Sequence, residues 1–183
     1  LTMVTCMILG MGLPSIPAYL ITATMAAPAL VQLGIPALAA HMFVFYFAMF
    51  ANLTPPVALA SFAAAGISGG DPMKTGLQSV KLALAGFIVP YMFVYNNALL
   101  LIETTPLIAI RVTITAIIGV FMIGVATEGY LLRKLHPALR ILVFAGSLML
   151  ITENVVQDFI GLGILVLLVM VQKFSTVKQK QPA

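Results

Sequence analysis

Five consecutive residues, Asn52-Leu53-Thr54-Pro55-Pro56, interrupt an apolar run that begins near Ile35 and ends near Gly66. Two adjacent prolines remove two backbone donors, and their rings clash with the preceding turn, so no continuous helix can pass through them. Inside a bilayer each freed carbonyl costs roughly several kcal/mol unless something binds it. Asn52 and Thr54 add side-chain oxygens at the same depth. The rest of the chain is read as the surroundings of this break.

The break matters because the chain belongs in a membrane. Of 183 residues, 62% are hydrophobic and 8% charged, about a third of the charge of a soluble domain. The apolar runs are long and do not alternate with period two, which makes the class all-α integral membrane rather than β-barrel. The net charge of +4 does not indicate nucleic-acid binding, because the basic residues are scattered in short loops between apolar runs. The single cysteine, Cys6, excludes an internal disulfide and reads as a small packing residue. The chain opens at Leu1 inside an apolar run, with no charged n-region and no cleavage site. It is therefore expected to be the C-terminal piece of a longer membrane protein.

Residues 1–9 are apolar but too short to span. Gly10-Met11-Gly12-Leu13-Pro14-Ser15-Ile16-Pro17 follows, then an apolar stretch to Leu33 that contains Pro28. Two sub-length helices joined by a Gly/Pro tip predict a re-entrant hairpin over 1–33; the alternative is one long kinked span. The broken span covers 35–66. In its first half His41 reads as a hydrogen-bonded histidine near an interface, and the aromatics Phe43, Phe45, Tyr46, Phe47 and Phe50 as packing. The alanine-rich second half permits close helix contact. Asp71 before Pro72 predicts a helix N-cap, and residues 74–96 a span bent at Pro90. Residues 101–183 form a C-terminal extension: a span over 107–131, two short apolar runs over 141–152 and 159–172, and a frayed basic tail from Lys173. About four membrane helices thus follow the hairpin and the broken helix.

The charges predict a topology. If the tail is cytoplasmic and each run crosses once, eight of the nine Lys and Arg residues lie on the cytoplasmic side, Arg111 being the exception. Glu103, Glu153 and Asp158 then lie outside, and the hairpin opens outward with its tip toward the membrane centre. The chain shows one hairpin and one break, so no internal repeat is visible.

No enzyme signature is present. His41 and His136 lie in different segments, the five acids are dispersed, and Ser15 has no base nearby in sequence. The residues fit a cation site better. A sodium ion wants several oxygens in a compact cage, as other hard cations do. Gly10 and Gly12 allow close approach of backbone at the tip. Ser15, Asn52 and Thr54 supply side-chain oxygens. Pro14, Pro55 and Pro56 keep the carbonyls before them out of helix hydrogen bonds. The helix after Pro56 would aim its N-terminus at the same region, favouring an anionic group. The metal set is then Gly12, Ser15, Asn52 and Thr54, with sodium as coupling ion and no other cofactor. The residues alone leave open that these prolines only kink helices for packing, in a membrane scaffold or assembly domain that transports nothing.

Several motifs carry a resemblance: Gly10-Met11-Gly12-Leu13-Pro14, Ala26-Ala27-Pro28-Ala29-Leu30, Ala39-Ala40-His41-Met42-Phe43-Val44-Phe45-Tyr46, Asn52-Leu53-Thr54-Pro55-Pro56-Val57-Ala58 and Gly70-Asp71-Pro72-Met73-Lys74-Thr75-Gly76. In this order, over residues 1–100, the chain resembles the large membrane subunit of tripartite ATP-independent periplasmic (TRAP) transporters. The likeness is closest to permeases in which the small and large membrane subunits are fused. It implies an elevator-type secondary transporter of the bacterial inner membrane, built from an inverted repeat of which this chain supplies half. It further implies sodium-coupled uptake of a small organic anion, a carboxylate or dicarboxylate. The implied partners are a periplasmic binding protein, of the TAXI type for many fused permeases, and the N-terminal remainder of the permease. Many members of the family have an acid where this sequence has Pro14, so a site model needing a carboxylate at the tip does not transfer.

Overall fold

A computed structural model describes residues 1–152 and 154–178. Among them are nine α-helices and no strand. Glu153 and the tail beyond Lys178, including Lys180, lie outside the described residues. The chain divides into two compact units, residues 1–103 and 104–183.

In the first unit, α1 (Thr2–Gly10) and α2 (Ser15–Gln32) are joined by a four-residue tip, and α3 (Ala37–Phe50) packs against both. Their core is Cys6, Ala26, Ala27, Leu30, Ala40, Phe43, Val44 and Phe47. Alanines on α2 and α3 let the backbones approach, and aromatic rings fill what they leave. Without a strong hydrophobic drive between helices in lipid, such close packing is what holds them together. Past a turn over residues 51–58 come α4 (Leu59–Ser68), α5 (Pro72–Leu82) and α6 (Leu84–Tyr95), then a 3₁₀ turn over Asn97–Leu100. Asp71 caps α5 as the sequence predicts: its carboxylate accepts from the Lys74 amide at 2.8 Å, with Pro72 in the first turn.

The span expected over 74–96 is two helices bent by 43° at Ala83, not one bent at Pro90. The bend falls where the polar, Lys-bearing α5 gives way to the apolar α6. Pro90 stays inside α6, buried, where it removes only the donor to the Gly86 carbonyl. α6 lies along α3 through ring contacts. Phe50 and Phe87 stack at 4.7 Å, Phe43 meets Tyr91 edge-on at 5.2 Å, and Tyr46 meets Phe93 at 5.6 Å. The aromatics of α3 are therefore packing, each pair contributing about 0.5–1.5 kcal/mol beyond its buried area.

The second unit is α7 (Pro106–Glu128), α8 (Pro137–Met149) and α9 (Val155–Lys178). α7 and residues Val155–Lys173 of α9 are long and apolar enough to cross a membrane; the bent pair α5–α6 is a third candidate. Of the two short runs, α9 gains its length from both flanks and continues as helix past Lys173, where fraying was expected. α8 does not: its 13 residues reach about 20 Å, short of a ~30 Å hydrocarbon layer.

Polar contacts near the helix ends hold this unit. At one end Arg111 Nε lies 3.8 Å from Asp158 Oδ2, linking α7 to α9. At the other, Gln172 accepts from the Leu132 amide at 3.0 Å and donates to the Arg133 carbonyl, tying α9 to the α7–α8 loop. α7 ends at Gly129, whose φ of +69° lets the chain turn beneath Arg140. Arg140 donates from Nε to the Ala126 carbonyl at 2.8 Å and from Nη2 to the Thr127 carbonyl at 2.7 Å. A guanidinium on the last carbonyls of a helix satisfies orphan acceptors and complements the helix dipole.

Arg140→Leu should therefore destabilise the complete permease by about 1.5–3 kcal/mol, the range for hydrogen bonds to charged groups. Arg140→Lys should recover part of that. Thermal melts in detergent read both; a Leu variant that melts like the parent would show that α7 does not depend on this cap.

Candidate functional site

Both interruptions foreseen in the sequence are present, and they touch. At the hairpin tip α1 ends at Gly10, Gly12 takes a φ of +73°, Pro14 is the N-cap of α2 and Ser15 its first residue. Gly10 lies so close to α3 that a Cβ there would sit 2.9 Å from the Ala48 carbonyl oxygen and 3.3 Å from Ala51 Cβ. A Cβ on Gly12 would lie 3.6 Å from Val57 Cγ1. The tip therefore rests on the end of α3 and on the break after it.

At the break, residues 51–58 separate α3 from α4, with a cis peptide between Pro55 and Pro56 and a left-handed Ala58 (φ +39°) as N-cap of α4. Several oxygens expected to be free are claimed within the chain. The Thr54 carbonyl, just before Pro55, accepts from the Ala58 amide at 3.2 Å. The Asn52 carbonyl accepts from the Ala60 amide at 3.0 Å, and the Leu53 carbonyl from the buried Ser61 hydroxyl at 3.2 Å. The Thr54 hydroxyl donates to the Phe50 carbonyl at 2.8 Å, which leaves only its oxygen lone pairs for another partner. So Pro55 withholds its own donor from the preceding turn but does not keep the Thr54 carbonyl free.

Other oxygens are left over. Among the described residues no hydrogen bond reaches the carbonyls of Pro55, Pro56 or Val57 at the break, or those of Met11, Gly12 and Leu13 at the tip. Pro17 explains Leu13, because it lacks the N–H that would bond four residues back. The Asn52 Oδ1 is buried with no hydrogen-bond partner, which is uncommon for a polar atom of a native fold. Ser15 is exposed, and no hydrogen bond joins it to Asn52 or Thr54. The tip and the break, close together at Gly10 and Gly12, thus each carry unclaimed carbonyls, and the break an orphaned amide oxygen as well.

Two glycines that the sequence reading did not mark as site residues press on the break from another side. A Cβ on the buried Gly76 of α5 would lie 2.9 Å from Pro55 Cγ. One on Gly86 of α6 would lie 2.7 Å from Phe50 Cζ. Gly76 closes the last quoted motif, but only the packing shows why a glycine stands there. Ser61, a further residue missed, carries no sequence signal beyond a small polar side chain in an alanine-rich run. Among the described residues no group of three or more His, Cys, Asp or Glu could hold a metal ion. A cation here would have to be held by neutral oxygens.

These features define a class: a polytopic α-helical membrane protein whose helices are interrupted at a shared polar point. Residues 1–108 match the family model of the tripartite ATP-independent periplasmic transporter, DctM component. The chain belongs to that family, the large permease component of TRAP transporters. It is a multi-pass inner-membrane protein of a transporter family, not an enzyme family, and the family works with a periplasmic binding protein. Neither curated proteins nor solved structures give a match.

Because the glycines set how closely the break is held, Gly10→Ala and Gly76→Ala should each cost about 1–3 kcal/mol, the range for overpacking. Gly66→Ala, which meets nothing within 4 Å, should be neutral or slightly stabilising. Equal melting temperatures for the three variants of the complete permease would show that the contacts at the break are not tight.

Proposed function

We propose that this chain is the C-terminal part of a fused TRAP permease that couples uptake of a small organic anion, a carboxylate or dicarboxylate, to a sodium gradient. A periplasmic binding protein, of the TAXI type, delivers the anion. The hairpin α1–α2 is re-entrant, its tip at membrane depth, and the C-terminus is cytoplasmic. The hairpin and the broken helix move together as part of an elevator-type transport domain, the other half of which lies in the N-terminal remainder of the permease.

The observation that carries this reading is the contact between the two interruptions, with Asn52 Oδ1 buried and unpartnered beside them. That donor set suits sodium: amide, hydroxyl and main-chain oxygens with no carboxylate, in keeping with Pro14 at the tip. Asn52 and Thr54 would hold the ion from the break, and Gly12 and Ser15 from the tip. The carbonyls of Pro55 and Pro56 lie on the same segment, and Gly10 sets the approach of the two. Bound there, sodium would supply the positive charge that this region of the sequence lacks, since no Asp, Glu, Lys or Arg precedes Asp71. A scaffold that transports nothing would accommodate a continuous helix through residues 50–58 as well; the interruption there and the orphaned oxygen favour the transporter.

In the complete permease reconstituted with its binding protein, Thr54→Val and Asn52→Leu should each raise the sodium concentration for half-maximal uptake about tenfold or more, a loss of about 1.4 kcal/mol in ion affinity. Each should weaken sodium-dependent uptake more than it lowers the melting temperature, Thr54→Val also losing the hydroxyl bond to the Phe50 carbonyl. Uptake with the parent's sodium dependence in both variants would remove these residues from the ion site.

A further inference from the structure

His41 is the one histidine in the first seventy residues, which hold no Lys, Arg, Asp or Glu. It is the fifth residue of α3 and is exposed. Its Nδ1 lies 2.9 Å from the hydroxyl of Tyr19 on α2, and the two rings meet edge-on at 6.2 Å between centroids. Phe45 props Tyr19 from the side at 5.6 Å, also edge-on. Tyr19 is four residues after Ser15, so the two side chains share a face of α2. The hydrogen bond thus connects His41 to the face of the hairpin that begins at its tip.

Around the pair the exposed surface is apolar: Ile16, Leu20, Leu38 and Phe45. Ionisable side chains within membrane segments face the bundle interior or a water-filled cavity rather than lipid, because lipid satisfies none of their hydrogen bonds. Among the described residues no hydrogen bond reaches His41 Nε2. When Tyr19 donates to Nδ1, the neutral ring carries its proton on Nε2 and presents that N–H outward. The pair thus offers a donor to an acceptor from outside the unit, and a carboxylate oxygen is such an acceptor.

We infer that Tyr19 and His41 form a contact site for a carboxylate group of the transported anion, on the hairpin face that begins at Ser15. This rests on the proposed uptake of an organic anion and adds to it the side chains that receive the anion.

The test uses the complete permease in proteoliposomes. Diethyl pyrocarbonate labels accessible imidazole nitrogens, and site-resolved peptide mass spectrometry separates His41 from His136. Succinate, 2-oxoglutarate and pyruvate, each with sodium, serve as probes, and sodium chloride as control. Labelling of His41 should slow at least fivefold with one of the three acids and not with chloride, and Tyr19→Phe should reduce that protection. Lack of labelling in the parent would mean that the rest of the permease covers His41, and would overturn the inference. So would labelling that none of the acids slows, or that chloride slows equally. For whichever acid is taken up, His41→Phe should raise KM about tenfold while uptake keeps its sodium dependence; an unchanged KM would also overturn the inference. Loss of sodium dependence in the parent would instead strike the coupling proposed above, and the protection measurement would still stand on its own.

Discussion

The unit formed by residues 1–103 depends on how the backbone of residues 51–58 is satisfied. Pro55 and Pro56 bring no donors, and lipid supplies none, so the acceptors of the preceding turn must be met from within the chain or by something it binds. The first turn of α4 meets part of the need, through the Ala60 amide and the Ser61 hydroxyl, and the left-handed Ala58 aims that turn back at Asn52 and Leu53. The Thr54 hydroxyl meets another part by bonding to Phe50. What is left over is the carbonyls of Pro55, Pro56 and Val57 and the Asn52 side-chain oxygen, and the tip has unclaimed carbonyls of its own at Met11, Gly12 and Leu13. The sodium site proposed from this remainder would have no fixed charge and would suit a compact cation.

That remainder is useful only if the tip and the break are held together closely. Close approach comes from what is missing: side chains at Gly10, Gly76 and Gly86, and anything larger than a methyl at the buried alanines of α2 and α3. Phe50 and Phe87 stacked face to face, with Gly86 beneath Phe50, pin the end of α3 against α6. A site built this way follows the packing of five helices at once. Displacing one of these helices alone would open the contacts at the tip and the break, in keeping with the one-body movement proposed above.

The second unit is held by other means. Its helices are pinned by polar contacts near their ends, Arg111 with Asp158 at one and Arg140 and Gln172 at the other, around an apolar middle of Met122, Val143, Leu150 and Leu168. Arg140 on α8 bonds the last turn of α7 through two charge-assisted contacts, which fix the register of these helices. They keep the short α8 seated between two helices long enough to cross.

Much of this was legible in the sequence because its signals are local. Clustered prolines and glycines mark where a helix must stop, while the single Pro28 and Pro90 stay inside helices, so both interruptions, the Asp71 cap and the two-helix hairpin followed from residue type and spacing alone. The apolar length of α7 and the packing role of the α3 aromatics followed likewise. Proline says which donor is absent, but not which group takes the carbonyl in its place. That the Thr54 carbonyl goes to Ala58, that Ser61 reaches Leu53, and that Asn52 Oδ1 is left with nothing depend on how α4 folds back. The bend at Ala83 rather than Pro90, the glycines of α5 and α6 beneath the break, and the bond from Tyr19 to His41 join residues brought together only by the packed helices. The sequence determined where this chain must break. The tertiary structure decided which oxygens the breaks leave open, because a hydrogen bond is a matter of distance in space and not of distance along the chain.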